Sequence, residues 1–232
     1  MKNILLYVFV VSAFASCAPK KPKTVVENYD KTLLVNYYLR TDKTNFVRGE
    51  MYAYHEGGDT ILPNIESGTL QGEKMSQSKI NNNTAWRMQI NEEFPEASEF
   101  KFVLNHAGYQ PIEAIFETNP IKKFSIKEGE LSISKGFTVN WDGPRISSQN
   151  ETMIIVITDS KRQSASLNRI GETAGSGFSV DPIQLQYYNF AKGPATISLV
   201  RKTMIDLPVS SYYKQRAEVE YYTDDLTINI VD

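Results

Sequence analysis

The chain has one cysteine, Cys17, and two histidines, His55 and His106. A lone thiol permits no intrachain disulfide, no CxxC redox pair and no thiolate zinc site. Stability must therefore come from core burial. Phosphate-cradling patterns are also missing: neither GxGxxG nor GxxxxGK[ST] occurs, so a nucleotide site has no footing. HExxH and the GxSxG nucleophile elbow are absent as well. Lysine and arginine (25) nearly balance aspartate and glutamate (27), for a formal net charge of −2. A chain so balanced lacks the basic footprint that nucleic acid requires. Beyond the first residues, no run approaches the roughly 18–20 apolar residues of a membrane-crossing helix.

The amino end carries the most specific signal. Lys2 supplies a positive charge, Ile4–Val11 is an unbroken apolar run, and Phe14-Ala15-Ser16-Cys17 follows. The run is too short to span a bilayer and has the flanks of an export signal. It resembles the lipobox of bacterial lipoproteins, departing from that pattern mainly at Phe14, where leucine is commoner. The resemblance implies cleavage before Cys17 and lipid on its thiol. Ala18 lacks the aspartate that often marks inner-membrane retention, which implies the outer membrane. Residues 18–30 hold two prolines and three lysines with no apolar period, an extended basic tether. Its basic character points to the periplasmic face, since the surface-export tags of some groups are acidic.

After the tether, period-two alternation dominates. Leu33, Val35, Tyr37 and Leu39 share one parity against Asn36, Tyr38 and Arg40. Val47, Met51 and Ala53 oppose Arg48, Glu50, Tyr52 and Tyr54; Trp86, Met88 and Ile90 oppose Arg87, Gln89 and Asn91. Phe100, Phe102 and Leu104 form another set, as do Phe137, Val139 and Trp141. Such alternation belongs to antiparallel sheets with one wet face. Met153–Ile157 is apolar on both parities and reads as a strand covered on both sides. The helix signal is confined to Pro95–Glu99, Ser164–Ile170 and Ser210–Arg216, all too short to support themselves.

The apolar pattern lapses at Glu117–Lys123, which predicts a boundary. The expected units are a signal peptide (1–16), the lipidated cysteine and tether (17–30), an N-terminal β-sandwich (31–118) and a C-terminal one (119–232). The second resembles an immunoglobulin-like or fibronectin-like sandwich without a cysteine pair. The expected fold class is all-β, with two such domains.

Chemistry is sparse. His55 and His106 end their strands on the inward parity and could share a metal with Glu56 or Asp59, or be ordinary loop-rim residues; the latter is expected. Ser176 misses the elbow spacing, and Gly171, Gly175 and Gly177 read as a mobile hairpin tip. Glu218 and Glu220 share a solvated strand face, and Asp224-Asp225 are turn residues. The chain carries four Tyr-Tyr pairs, and each one that lies on a strand should bury one ring and expose the other. Tyr38, Tyr54 and Tyr222 are the candidate ligand contacts, where a sugar or protein could stack. The alternative is β-propensity on a half-wet face. The chain is expected to be a non-enzymatic binding or assembly module of the cell envelope, without cofactor or metal, and partnered by another envelope protein or a glycan besides the membrane. The second expectation is a carbohydrate-binding accessory lipoprotein or adhesin.

Overall fold

A computed structural model describes residues 32–57, 62–94 and 97–232. Cys17 and the tether lie outside the described residues. Alternation becomes strand from the start. In β1 (Leu33–Asp42), Leu33, Val35, Tyr37 and Leu39 are buried and the residues between them are half-exposed. The same kind of alternation recurs in β2 (Phe46–His55) and β3 (Ile65–Leu70). The two-residue β4 (Glu73–Lys74) and β5 (Ser76–Ile80) bury no residue, and the alternation returns in β6 (Ala85–Glu93), β7 (Glu99–His106) and β8 (Ile112–Glu117). These pair as β1-β2-β6-β5 in one layer and β4-β3-β7-β8 in the other. With β4 set aside, that is the A-B-E-D and C-F-G order of an immunoglobulin-type sandwich.

The layers close over a core in which Phe102 meets Tyr37 and Phe116, with centroids 5.3 Å away in each case. The buried Tyr37 hydroxyl donates to Gln215 Oε1 at 2.7 Å. Gly49 on β2 is one of the places where the layers approach closely. A methyl group there would sit 2.6 Å from Leu70 and 3.2 Å from Ile90, so a larger residue would force the facing sheet to move.

The second half repeats the plan. Its strands are β9 (Lys123–Ile126), β10 (Leu131–Ser132), β11 (Phe137–Asp142), β12 (Glu151–Asp159), β13 (Ser164–Ile170) and β14 (Gly177–Val180). A short helix α1 (Pro182–Gln186) follows, then β15 (Gly193–Asp206), β16 (Tyr213–Tyr222) and β17 (Leu226–Val231). The layer β14-β11-β9 faces β10, β17, β15, β12 and β13 across a core that includes Trp141, Ile155, Ile197 and Leu199. The order again resembles an immunoglobulin-type sandwich. The protein is all-β apart from α1, among the described residues.

Several local expectations are corrected. Ser164–Ile170 is the edge strand β13, held by pairing with β12 rather than by helical propensity. Ser210–Arg216 runs through a turn into β16. Pro95 and Glu96 lie outside the described residues, and Glu99 opens β7. The helix that does form, α1, lies outside the three expected stretches: Asp181 caps it by accepting from the Ile183 N–H at 2.8 Å and Pro182 opens it. β12 is central but not covered on both sides: Ile154 and Val156 remain half-exposed. The glycine-containing turn after β13 is pinned, since buried Thr173 accepts from the Ile146 N–H and donates to the Gly175 carbonyl.

The two sandwiches share one sheet. β15 is 14 residues long; its first part pairs with β17 and its last part, Val200–Asp206, with β16. β16 then lies parallel to β1 over its whole length, from Leu33↔Tyr213 to Asp42↔Tyr222. The hairpin of β15 and β16 therefore leaves its own sandwich and extends the edge of the first, making a ten-stranded sheet. Ala217 and Val219 from β16 pack into the first core, while Tyr221 joins the second. The expected division at 118/119 falls between β8 and β9, and this hairpin crosses it.

At the junction, Arg201 and Glu151 form a buried ion pair at 2.9 Å. Arg201 also donates to the carbonyls of Pro144 (2.7 Å) and Arg145 (2.9 Å). Glu151 accepts from Asn119 in the linker and from the Ser147 N–H. Every one of these bonds offsets part of the desolvation cost of two buried charges.

Candidate functional site on the outer face of the shared sheet

Pairing register decides which side chains meet on the outer face. Along β1, Leu34, Asn36, Tyr38 and Arg40 point outward. Antiparallel β2 sets Tyr54, Tyr52, Glu50 and Arg48 opposite them in that order, and parallel β16 sets Lys214, Arg216, Glu218 and Glu220 on their other side. From β6, Arg87 stands opposite Tyr52. Residues nearly 180 positions apart in sequence thus share one surface.

Two carboxylates organise that surface. Glu50 is 3% exposed. Its oxygens accept from Arg48 (Nε, 2.7 Å), from Arg87 (Nη2, 3.0 Å; Nε, 3.1 Å) and from the Tyr52 hydroxyl. Burial alone would raise its pKa; the bonds from Arg87, Tyr52 and Arg48, with the Arg87 charge, outweigh it and pull the pKa down to about 2. Glu50 therefore holds no proton to donate at neutral pH. Glu220 accepts from both the Tyr38 and Tyr222 hydroxyls through Oε2, at 2.7 and 2.9 Å. Burial, reinforced by those bonds and the Glu220 charge, pushes both phenols up. Arg40 lies over the Tyr222 ring, 3.7 Å from its centroid.

These contacts fix the rings and leave an open groove of about 490 Å³ between them. Tyr38 and Tyr52 line it together with Asn36, Met204, Arg216 and Glu218. Its volume falls within the roughly 300–1,000 Å³ typical of small-ligand sites. Glu218 pairs with Lys202 at 2.7 Å.

Of the tyrosines singled out from sequence, all three lie on this face. Only Tyr38 lines the groove. Tyr54 stands opposite Leu34 and Tyr222 opposite Asp42, each four residues along from Tyr38, roughly 13 Å away on either side. The Tyr54 hydroxyl accepts from Asn36 Nδ2 at 3.0 Å. Sequence reasoning missed Glu50, Tyr52 and Arg216 as site residues. Parity had already placed Glu50 and Tyr52 beside Tyr54, but the parallel alignment of β16 that brings Arg216 has no sequence signal. Glu220 is also corrected: β16 is not an exposed strand but an interior one, and Glu220 is 9% exposed beneath two tyrosines.

Other candidates go elsewhere. His106 is buried and stacks on Tyr109 with centroids 4.4 Å away. Burial and then the charge of His55 hold its pKa below the usual value. Glu56 pairs with Lys214, and Asp59 lies outside the described residues. No group of three or more potential metal ligands gathers among the described residues. Asp224 is paired with Lys43, and the Ser176 hydroxyl donates to the Gly143 carbonyl at 2.7 Å.

No known protein-family profile matches the chain, and no curated protein sequence matches it. Among solved structures it is similar to the adhesin InvE of Yersinia pseudotuberculosis, at 8% identity and a TM-score of 0.27, over 81% of this chain and 58% of that one. It is also similar to a 1.5-MDa bacterial ice-binding adhesin, at 11% identity and a TM-score of 0.23, over 86% of this chain and 65% of that one. The chain thus spans less than two thirds of either structure.

Proposed function

We propose that the protein is a non-enzymatic binding module of the bacterial cell envelope, anchored to the outer membrane by lipid on Cys17 and facing the periplasm, with the outer face of the shared sheet as its recognition surface. The carrying observation is the set of aromatic rings pinned by carboxylates around one groove: rings already ordered lose little entropy on binding. The lipobox-like sequence ending at Cys17 supports the anchor. Palmitate labelling of the wild type against Cys17→Ala tests it, and equal labelling would overturn the anchor. A photo-crosslinker placed at Tyr54 should capture a partner on cells. One placed at Ile115, exposed on β8, should not. Equal capture at both positions would remove the face from the proposal.

The second reading, a carbohydrate-binding accessory lipoprotein or adhesin, is favoured by one specific observation. Tyr38, Tyr54 and Tyr222 lie along one face with Tyr52 between the first two, a strip over which sugar rings can stack. Screening the protein and Tyr38→Ala against a glycan array tests it; equal retention by both proteins would remove Tyr38 from recognition.

A further inference from the structure

We infer that the groove takes a carboxylate-bearing saccharide, with Arg216 as the residue that recognises the carboxylate; this rests on the carbohydrate reading of the same face. The cations around the groove differ in what they already hold. Arg48 and Arg87 are both committed to Glu50, Lys202 to Glu218 and Lys214 to Glu56. Arg40 lies on the Tyr222 ring, outside the groove. Arg216 is exposed, lines the groove, and makes no side-chain hydrogen bond or ion pair with any of the described residues. Asp206 faces it across β15 by register but forms no ion pair with it. A guanidinium with all its donors open is suited to bidentate binding of a planar carboxylate.

The rest of the lining distinguishes a sugar acid from a simple anion. Tyr38 and Tyr52 present ring surface, and their hydroxyls are held by Glu220 and Glu50, so the rings form a fixed platform. Asn36 donates to Tyr54, which leaves its carbonyl oxygen to accept from a hydroxyl. Glu218 presents a second carboxylate oxygen beside the one that holds Lys202. A sugar ring supplies the hydroxyl donors that these acceptors require, and a uronic acid adds the charge that Arg216 lacks. An acidic peptide would supply charge without that array of hydroxyls.

The test titrates the full-length protein with three probes: a hexamer of galacturonic acid, its carboxyl-reduced neutral counterpart, and a hexaglutamate peptide. The acidic hexamer should bind about tenfold or more tightly than the neutral one, as expected for a charge-assisted bidentate contact. Arg216→Gln should abolish that preference while Tyr38→Ala weakens both sugars. Far-ultraviolet circular dichroism of each variant confirms that it is folded. If both sugars bind equally and Arg216→Gln changes nothing, the carboxylate assignment falls and the carbohydrate reading stands. Binding of neither sugar overturns both. Hexaglutamate binding as tightly as the acidic hexamer shows recognition of charge alone and overturns the proposal.

Discussion

In the first sandwich the ionised groups gather on the outer sheet face, where Glu50 is shared by two arginines and a tyrosine at the water boundary. In the second, Arg201 and Glu151 are taken fully inside, between the linker and the mouth of β12. The strand orders are alike; the placement of charge is not. A buried pair holds a junction together by making its own rupture costly. A half-covered network of rings and carboxylates instead shapes a surface while leaving donors free to meet a ligand. One sandwich carries the face proposed for recognition, and the other supplies the hairpin that extends it.

The largest test of that comparison is whether the two cores behave as one. Phe102→Ala should cost about 3–5 kcal/mol by the cavity it leaves in the first core. The chain has two tryptophans, Trp86 packed on the first core and Trp141 in the second. Because β15 and β16 run through both, variants keeping one tryptophan each should unfold in urea at the same midpoint, and Phe102→Ala should shift both. Separate midpoints would show that the sheet does not couple the sandwiches.

Glu151→Ala should cost a comparable 3–5 kcal/mol, because it strands Arg201 as an unpaired buried charge. Replacing both partners together, as Glu151→Leu with Arg201→Met, should recover much of that loss in the same urea experiment. A double variant as unstable as the single one would show that the pair itself holds the junction.

Glu50 gives the third test, in acid. Its pKa is depressed in the folded protein, so its stabilising contribution is complete above its ordinary value of 4.5 and is lost as pH falls towards about 2. The loss across that window should be roughly 3 kcal/mol, read as the difference between the wild type and Glu50→Gln in thermal unfolding followed against pH. A difference that stays constant from pH 5 to pH 2 would contradict the network. The smallest effect belongs to Lys101 and Glu113, an exposed pair on β7 and β8. A double-mutant cycle there should give no more than about 1 kcal/mol, in contrast to the buried pair.

Sequence alternation revealed the strands well because a half-buried strand must repeat every two residues. Leu33 to Leu39, Phe100 to Leu104 and Phe137 to Trp141 face inward as their parity requires. Where tertiary pairing decides, local pattern misled. Ser164–Ile170 has residues compatible with a helical turn, and only the neighbouring β12 makes it a strand. The helix at Pro182 was legible in its Asp-Pro start but was masked by apolar residues continuing from β14. The site was half legible: parity placed Tyr38 and Tyr54 outward. The groove needs β16 beside β1, a long-range parallel pairing that leaves no local trace.

That pairing has a mechanical consequence. Without the hairpin, β1 would be an edge strand with β2 as its only neighbour, and tension drawn from its amino end could strip it away from one side. With β16 on its free side, β1 is hydrogen-bonded along both edges over its length. Tension along the strand then acts across two ladders at once, so their bonds resist in shear and must yield together. A load entering at Leu33 is shared with β16, whose hairpin partner β15 belongs to the far sandwich.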